Sequence, residues 1–487
     1  MVGRMHHPID HYQSPEITPP TDRRPLAGRH ALPIVSAEST RLFWDNAHGE
    51  AFSKSHAEAG AHAPDVYFRI VCAIDDRAHR WVEVSNAQSG ESYARMELAY
   101  AAPGQVYQCT LTPEQVAGAI RDGLALRLEG GESPIWIVAP GGPNTPDSIL
   151  PSLSQASAPP SLDHFLRLFC TPASFQQWDW TGVCVLDGLQ DWAQLGNKDA
   201  AQTLEQYLRT FIDPKEGRRE DFRGHPCDDA IANPETGGPF AILIAQSPKH
   251  PSIHLLTEGF EHFHNKTLDC IGTHRLVTES NYNVAYPMMS LAVHLNRPDY
   301  KEKSLAQLRA TMHYLTDDDN VWLRYDPENG ERTFQNWSRG VAWYFLGMVR
   351  SLALLPKSEW PDALIAECNR MAAWVSTYQM ENGLWAGFLH EKSVRPDNSG
   401  SAGIAAAIAL GIRIGLIQSD WQPTAEKAYQ GLSNCLTHDG WLQGVSQTNK
   451  PEALHMDIQR SDFRVIAPWG MGLYAQLAAA LQTTESA

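Results

Sequence analysis

Residues 333–355 read TFQNWSRGVAWYFLGMVRSLALL, and this stretch decides the fold class. After a polar start, its apolar residues recur with the period of an α-helix and on almost every face, which is typical of a helix buried on all sides. Arg339 lies in the first turn of this predicted helix, between Trp337 and Trp343. A guanidinium held between two indoles at the start of a buried helix indicates that this start lines a pocket.

Five other helical segments begin in a comparable way. From residue 161 onward, long apolar blocks of helical period can be paired into about six hairpins. The predicted hairpins begin near Trp178, Thr236, Ser280, Trp337, Ser399 and Ser461. Each start alone is explained by capping, because Ser, Thr, Asp and Asn are preferred at helix N-termini. The whole series favours a mainly α fold, an (α/α)6 barrel over residues 162–487, with a pocket where the inner helices begin.

The N-terminal third has a different pattern. Residues 36–140 contain short β-rich segments separated by turn-forming residues, which predicts an antiparallel, sandwich-like domain with one helix near residues 112–122. Residues 141–161 are rich in Pro, Ser and Gly and are predicted to be a linker. Residues 1–35 are expected to be flexible. The β-rich domain could cover the barrel mouth or form a homodimer, and we favour the homodimer.

Composition excludes several classes of protein. The chain has 487 residues and a formal net charge of −17, which argues against a nucleic-acid partner because phosphate binding needs clustered lysine and arginine. No signal-peptide core and no run of about 18 apolar residues occurs, so neither secretion nor a membrane span is expected. The eight cysteines lack CxxC spacing, which indicates free thiols. The sequence therefore predicts a cytoplasmic protein without a metal site.

Four of the helix starts resemble motifs of a known family. The fourth start is similar to the W-x-R-G-x-x-W signature of the unsaturated glucuronyl and rhamnogalacturonyl hydrolases, glycoside hydrolase families 88 and 105. The fifth start, RPDNSGSA at residues 395–402, resembles their E/D-x-S-G/A-S-A segment. The first and last, WDWTGV at 178–183 and PWGMGLYAQLAAA at 468–480, resemble their opening and closing elements, although Leu481 stands where they end on glutamate. The resemblance covers residues 165–483.

The resemblance implies an unusual glycoside hydrolysis. Those relatives are (α/α)6 barrels that remove the unsaturated uronate left at a non-reducing end by a polysaccharide lyase. A carboxylic acid protonates the C4=C5 double bond, water adds at C5, and the resulting hemiketal opens so that the glycosidic bond breaks. Two carboxylates are needed, one as acid/base and one to orient sugar hydroxyls. No metal or organic cofactor is implied.

The catalytic residues depart from the family pattern. At the third start, TESNYNVAYP, the family aspartate position falls near Ser280 or Asn281, and no aspartate is present. Glu279 lies one or two residues earlier, and its longer side chain makes it the candidate acid. The second start offers three acidic residues, Asp228, Asp229 and Glu235. Glu235 is the best placed of them, because it immediately precedes a helix start, and is the candidate partner of Glu279.

Substrate recognition is assigned mainly to the fourth start. Arg339 is predicted to bind the uronate carboxylate, because a guanidinium offers a planar pair of donors that lysine lacks. Trp337 and Trp343 are predicted to be apolar walls for the sugar ring. Further residues predicted to contact substrate are Asn281, Tyr282, Gln335, Asp397, Ser399, Trp385, His390 and Arg324.

Three other functions stay open at this stage. The same arginine and tryptophans could serve ordinary hydrolysis of a saturated β-glucuronide. A polysaccharide lyase could use an asparagine to neutralise the carboxylate, Tyr282 as base or acid, and His390 or His455 as an assisting group. A sugar-binding protein on a catalytically altered barrel is the non-enzymatic alternative. Products separate the three enzymatic functions, because hydration of an unsaturated uronide consumes the ultraviolet absorbance of the double bond, elimination by a lyase creates it, and simple hydrolysis leaves it unchanged. Binding of a uronide without turnover would favour the sugar-binding protein.

Overall fold

The structure is a computed structural model that describes residues 6–45, 65–155, 159–213, 217–218, 231, 233–447 and 455–482. The strands are β1 (His6–Pro8), β2 (His11–Gln13), β3 (His30–Ile34), β4 (Thr40–Phe43), β5 (Val66–Val71), β6 (His79–Asn86), β7 (Ser92–Ala99), β8 (Val106–Leu111), β9 (Leu124–Glu129), β10 (Ile135–Ala139), β11 (Ser152–Gln155), β12 (Ile212–Asp213), β13 (Gly217–Arg218), β14 (His264–Asn265), β15 (Cys270–Ile271), β16 (Leu276–Val277), β17 (Trp322–Tyr325) and β18 (Arg332–Gln335). The helices are α1 (Pro113–Asp122), α2 (Leu162–Phe169), α3 (Trp180–Gln194), α4 (Lys198–Phe211), α5 (Phe240–Gln246), α6 (Ile253–His262), α7 (Tyr286–His294), α8 (Pro298–Leu315), α9 (Ser338–Ala353), α10 (Asp362–Ser376), α11 (Asn398–Ile414), α12 (Gln422–Ser433), α13 (His455–Arg460) and α14 (Pro468–Ala480). A π-helical turn, Asn281–Ala285, leads directly into α7.

The N-terminal domain is built from antiparallel sheets, as its β-rich sequence predicted. A four-stranded sheet has the order β1-β11-β5-β8, and a five-stranded sheet has the order β2-β4-β9-β6-β7. Alternate residues of β6, including Val82 and Val84, are buried, and they share one hydrophobic core with Phe68 of β5. The helix predicted near residues 112–122 is confirmed as α1, which Thr112 caps by accepting a hydrogen bond from the backbone N–H of Gln115.

The predicted flexible segment and linker both contribute strands to this domain. Within residues 1–35, β1 pairs with β11 and β3 pairs with β10. Strand β11 itself lies inside residues 141–161, where a linker was predicted. Both β1 and β2 are edge strands of three residues, and proline is tolerated at a sheet edge because no ladder hydrogen bond is lost there. A composition typical of a tail was therefore compatible with strand pairing.

The helical domain is a ring of inner helices surrounded by outer ones. Among the described residues the inner ring consists of α3, α5, α7, α9, α11 and α14. Each inner helix contacts the next, and α14 contacts α3, so the ring is closed. The outer helix α2 completes the circle at α14, where the rings of Phe165 and Tyr474 meet edge to face at 4.8 Å. This confirms the mainly α class, and the arrangement is that of an (α/α)6 barrel.

Small residues allow the inner helices to approach closely. A Cβ atom added to Gly347 of α9 would lie 2.5 Å from the backbone of Asn281, and one added to Gly472 of α14 would lie 2.4 Å from the carbonyl oxygen of Cys184. Every residue of α9 from Ser338 to Leu352 is buried, which explains the continuous apolar run in its sequence. Close contact fixes the inner helix starts relative to one another.

The sixth helix start was misplaced by the sequence prediction. The inner helix begins at Pro468, not near Ser461, because α13 ends at Arg460 and an extended segment intervenes. In that segment Val465 pairs with Val445 and Ile466 pairs with Val106 of the N-terminal domain. Proline at the first helical turn then starts α14, where its missing N–H is not needed. No helix in the described residues is long and apolar enough to cross a membrane.

Candidate active site

The starts of the inner helices bring a group of aromatic rings together. The ring centroids of Trp180 and Trp343 are 5.4 Å apart, and those of Trp180 and Trp469 are 5.8 Å apart. Tyr282 stacks on Trp343 at 5.8 Å. We call these four residues the aromatic cluster. Because they come from α3, α9, α14 and the π-helical turn, the cluster forms only when the ring of inner helices is closed.

Arg339 is stacked between two tryptophans, but they are not the pair that the sequence suggested. Its guanidinium lies 4.7 Å from the ring centroid of Trp337 and 5.5 Å from that of Trp180. Both contacts have cation–π geometry, which stabilises a buried positive charge. Trp343 instead lies below Trp180, inside the aromatic cluster. The arginine side chain is only 1% exposed.

The terminal nitrogens of Arg339 are occupied by backbone oxygens. Nη1 donates to the carbonyl of Ser446 at 2.8 Å, and Nη2 makes a longer contact of 3.4 Å with the carbonyl of Gln447. Nε is buried and has no hydrogen-bond partner among the described residues. Nε is therefore a donor without a described acceptor, but because it is buried a carboxylate would reach it only if the surrounding residues moved.

Asp397 balances the charge of Arg339 and caps helix α11. Its carboxylate accepts hydrogen bonds from the backbone N–H and the hydroxyl of Ser399, at 3.0 and 2.6 Å, and from the same two groups of Ser446, at 3.0 and 2.7 Å. Burial alone would raise the pKa of Asp397, but Arg339, these donors and Arg464 together hold the pKa below its ordinary value. Asp397 is thus a fixed anion and not a proton donor.

Glu279 has the properties of a proton donor. It is half-buried and lies two residues before the π-helical turn, at the start of the third inner helix. Burial raises the pKa of Glu279, while Arg324 and Arg339 act in the opposite direction. Their effect on Glu279 shows that all three charges belong to one region. A carboxyl group of raised pKa beside two guanidinium groups suits a site that protonates an anionic substrate.

Glu235 lies on the neighbouring helix start. It belongs to a short 3₁₀ turn, Pro234–Gly237, in which Asn233 Oδ1 accepts a hydrogen bond from the backbone N–H of Glu235 at 2.8 Å. A Cβ on Gly237 would lie 2.7 Å from the carbonyl oxygen of Asn283, so this turn is in direct contact with the π-helical turn that follows Glu279. The second and third starts are therefore adjacent. Asp228 and Asp229 lie outside the described residues.

The side chains of Asn281 and Tyr282 are buried and hydrogen-bond to residues inside the barrel. Asn281 Nδ2 donates to the carbonyl of Tyr344 at 2.9 Å, and its Oδ1 accepts from the hydroxyl of Thr311 at 2.7 Å. The Tyr282 hydroxyl donates to Asp187, and burial raises the pKa of Tyr282 well above its ordinary value. This geometry favours structural roles for both residues, whereas the sequence predicted substrate contact.

Other predicted contact residues lie at the rim or in the core. Trp385 is fully buried and its indole Nε1 donates to the carbonyl of Val375 at 2.8 Å, which directs it toward outer helix α10. His390 is exposed, with Nε2 3.4 Å from a carboxylate oxygen of Glu391. Gln335 is exposed at the end of β18. Of these, His390 and Gln335 keep a position from which bound substrate could be contacted, and Trp385 does not.

The chain that leads into Trp337 is strained. Phe334 and Asn336 have φ angles of 58° and 54°, in the left-handed region that non-glycine residues rarely adopt. Asn336 is held there because its Oδ1 accepts from the backbone N–H of Val321 at 2.8 Å. Across the same hairpin, the guanidinium of Arg324 lies 5.1 Å from the ring centroid of Phe334. Such strain is concentrated at binding sites, where the surrounding structure enforces it.

The sequence prediction missed several polar atoms at these helix starts. Asn283 Oδ1, the indole nitrogens of Trp337 and Trp469, and the hydroxyl of Ser338 are buried and find no hydrogen-bond partner in the part of the chain that the structure describes. Unpaired buried polar atoms are rare and indicate groups that meet water or a ligand. The sequence motifs already contained these residues: Asn283 belongs to the NYN stretch, and Trp180 and Trp469 belong to the first and last helix starts. Their positions in these motifs could therefore have identified them.

An ionic network lies in the centre of the barrel. Asp187 accepts hydrogen bonds from Tyr282 and from Tyr286, the latter at 2.9 Å, and burial raises the pKa of Asp187 to about 6. Arg350 donates to both carboxylate oxygens of Asp191 and to Gln476 Oε1 at 2.8 Å. Because Tyr282 belongs to both groups, this network supports the aromatic cluster.

Comparisons with known proteins agree with this geometry. The family model for Glycosyl Hydrolase Family 88 matches residues 170–484, well over half of the chain. A family 105 glycoside hydrolase from C. acetobutylicum superimposes with a TM-score of 0.54 at 19% identity, covering 63% of this chain and 94% of that one. A family 88 glycosyl hydrolase from Bacteroides vulgatus gives 0.50 at 21%, covering 63% and 92%. At such identities the structural likeness concerns the fold alone.

The family match, together with the closed ring of inner helices, identifies a glycoside hydrolase. The chain belongs to Glycosyl Hydrolase Family 88, and its match begins after the N-terminal β-rich domain.

Proposed function

We propose that this protein removes an unsaturated glucuronyl or galacturonyl residue from the non-reducing end of an acidic oligosaccharide. The observation that carries the proposal is Glu279, a half-buried carboxyl of raised pKa that faces Arg324 and Arg339. A carboxyl group whose pKa is raised, beside two positive charges, suits the protonation of an anionic alkene. Membership of family 88 and the motifs at the helix starts support the same reaction class.

The chemistry balances with the two carboxylates alone. Glu279 transfers its proton to C4, the double bond opens, and the positive charge that develops at C5 is shared with the ring oxygen. Water adds to C5 and returns a proton to the Glu279 carboxylate, so the acid is regenerated. The hemiketal then opens, and the C1 centre releases the remainder of the oligosaccharide as an alcohol. Glu235, on the adjacent helix start, orients the sugar hydroxyls and the attacking water.

Two guanidinium groups are candidates for the carboxylate of the substrate. Arg339 is buried and its terminal nitrogens hold backbone carbonyls, so it offers mainly Nε. Arg324 is half-buried on β17 and acts on the same Glu279. We therefore assign direct carboxylate binding to Arg324 and treat Arg339 as a fixed positive charge behind it.

Walls of the sugar site follow from the stacked rings. Trp337 covers Arg339 on one side and presents an indole N–H without a partner among the described residues. A flat apolar face with one free donor suits a sugar ring and one of its hydroxyls. Trp343 contributes by supporting Trp180 from below.

The lyase alternative is less well supported. Tyr282 would have to serve as base or acid, yet its hydroxyl is buried against Asp187 and its pKa is raised well above its ordinary value. The assisting histidine His390 is exposed beside Glu391, and the side chain of His455 lies outside the described residues. Hydrolysis of a saturated β-glucuronide would use the same carboxyl groups, so substrate trials must separate it from the proposed reaction.

A panel of unsaturated and saturated uronyl disaccharides tests the proposal. We expect the absorbance of the double bond to fall with the unsaturated substrates, with release of the matching sugar by chromatography, and no turnover of the saturated ones. A rise in absorbance would establish a lyase, and cleavage of saturated uronides at constant absorbance would establish a glucuronidase. Either result contradicts the proposed reaction. A cytoplasmic location and a homodimer formed by the N-terminal domain stay predictions, the latter checked by light scattering.

A further inference from the structure

The N-terminal domain touches the barrel at the end where the inner helices begin. Edge strand β8 continues into the barrel, since the backbone N–H of Val106 donates to the carbonyl of Ile466, just before α14. The side chain of Gln176, just before α3, donates to the carbonyl of Pro103 at 3.3 Å. The loop between β7 and β8 is therefore inserted between the first and last inner-helix starts.

Gln105 in this loop holds one residue of the barrel. Its Nε2 donates to Gln447 Oε1 at 2.8 Å, and its Oε1 accepts from Gln447 Nε2 at 3.0 Å, so the two amides pair in both directions. Gln447 Nε2 also donates to the carbonyl of Ala99 at 2.8 Å. Gln105 is itself fixed, because its Oε1 accepts from the Tyr107 hydroxyl at 2.7 Å. Both glutamines are almost fully buried, where hydrogen bonds are strongest.

Gln447, the residue held by Gln105, is one of the two residues whose carbonyls contact Arg339, and the other, Ser446, is its neighbour in the chain. The carbonyls of Ser446 and Gln447 accept from the guanidinium, and the carbonyl of Gln447 also accepts from Gln459 Nε2 at 2.7 Å. Hydrogen bonds thus connect β7 and the β7–β8 loop to Gln447, and the carbonyl of Gln447 contacts the positive charge near Glu279.

We propose that Gln105 is a positioning residue of the active site, and that the N-terminal domain serves catalysis by holding Arg339 through Gln447. This rests on the proposed role of Glu279. The domain lies outside the region that matches family 88, so the device is an addition of this chain to the barrel. The physical basis is that the effect of the buried Arg339 on the pKa of Glu279 depends on the distance between the two groups. The carbonyls of Ser446 and Gln447 keep this distance constant only if the segment that carries them is itself held in place.

The charges around Glu279 determine what loosening would do. Arg324 from β17 and Arg339 from α9 both lower the pKa of Glu279 against the effect of burial. Asp397 and Cys184 face Arg339, and Arg464 faces Asp397. If Arg339 moves away, Glu279 loses one of its two opposing cations and its pKa rises further. The limb of the pH–rate profile in which a general acid loses its proton then shifts to higher pH.

The test compares Gln105→Met with Gln108→Met in the full-length protein. Gln108 lies three residues further along the chain, on β8, and also serves the domain junction, since its Oε1 accepts from Arg69, which pairs with Asp439 of the barrel. Gln108 has no link to residues 446 and 447 among its described hydrogen bonds. Methionine has a similar length and makes no amide pair, so each variant removes hydrogen bonds with little change in volume.

We expect Gln105→Met to lower kcat/KM on unsaturated uronides roughly tenfold, mainly through kcat, and to shift the alkaline limb upward, while Gln108→Met does neither. Gln447→Met should behave like Gln105→Met. The double variant should lose no more activity than either single variant, because all three break the same link between Gln105 and Gln447.

Hydrogen exchange of peptides over residues 440–447 should accelerate in Gln105→Met and not in Gln108→Met, a measurement that needs no activity. Equal kinetics and exchange in the two single variants, or additive losses in the double variant, would overturn the proposal. If the wild-type protein turns over none of the substrates, the proposed reaction is wrong. Hydrogen exchange then decides by itself whether Gln105 holds residues 440–447 in place.

Discussion

Replacing Glu279 by glutamine tests the reaction at its centre. Glu279→Gln keeps the size of the side chain but removes its ionisable proton. Because the pKa of Glu279 is raised by burial, the wild-type group is protonated in a larger fraction of molecules near neutral pH than an exposed glutamate would be. We expect kcat to fall by ~10²-fold or more, about 2.7 kcal/mol of transition-state stabilisation, with a smaller change in KM.

The pH dependence gives the sign of the effect. A general acid works while protonated, so wild-type activity should fall as pH rises through the pKa of Glu279, and this limb should be absent from the residual activity of Glu279→Gln. Stability should behave differently. A raised pKa means that Glu279 favours the fold below its ordinary pKa of 4.5 and loses this contribution as pH rises through the folded value. The glutamine variant should therefore melt at neutral pH no lower than wild type.

Steady-state kinetics on an unsaturated uronyl disaccharide, followed by loss of double-bond absorbance, is the assay. Glu258→Gln is the matched control, because Glu258 is an exposed glutamate on outer helix α6 and its variant should keep full activity. Near-normal activity in Glu279→Gln together with complete loss in Glu235→Gln would reverse the two roles. If both variants retain activity, the proton comes from another residue and the site assignment is refuted.

Three further predictions follow from the same contacts. Arg324→Lys should raise KM for uronides while leaving a matching neutral glycoside unaffected. Arg339→Lys should instead lower kcat and the melting temperature together, because the carbonyl contacts and ring stacking of Arg339 are lost. The reverse pattern in paired kinetic and melting experiments would return carboxylate binding to Arg339. Trp337→Ala should weaken binding of both substrates, which calorimetric titration measures, and selective loss of the uronide alone would contradict a role as a sugar wall. Asp187 has a pKa raised from 3.8 to about 6, so its contribution to stability is lost as pH rises through that interval, and Asp187→Asn should flatten the dependence of melting temperature on pH there.

The sequence determined the ring of helices because its signals are local. Helical period, capping residues and small residues act within a few positions of one another, and they recur at each inner-helix start whatever the rest of the chain does. The helix α1 was predicted for the same reason and is present in the structure. Asp397 was predicted to contact substrate, and in the structure it caps α11. The positions of Glu235 and Glu279 at two adjacent starts also followed from this series of starts.

The orientation of individual side chains was decided by tertiary structure. Asn281 was expected near substrate, but Gly347 of α9 brings that helix against the π-helical turn, and the amide is taken up by Thr311 and the Tyr344 carbonyl. Nothing within a few residues of Asn281 encodes this, because its partners lie 30 and 63 positions away in the chain.

The surroundings of Arg339 show most clearly what the local sequence predicted and what the tertiary structure decided. By sequence Arg339 lies between Trp337 and Trp343, and the local pattern alone correctly indicated a guanidinium among indoles. Which indole covers it depends on α3 meeting α9 across the barrel, so Trp180 takes that place and Trp343 moves beneath. Likewise, residues 1–35 and 141–161 were predicted to be a flexible segment and a linker, but strands β1, β3 and β11 within them form by pairing with each other and with their sheets. Local patterns specify elements because their energies arise within a turn or a strand, whereas the contacts that build a site arise between elements and exist only after the chain has closed.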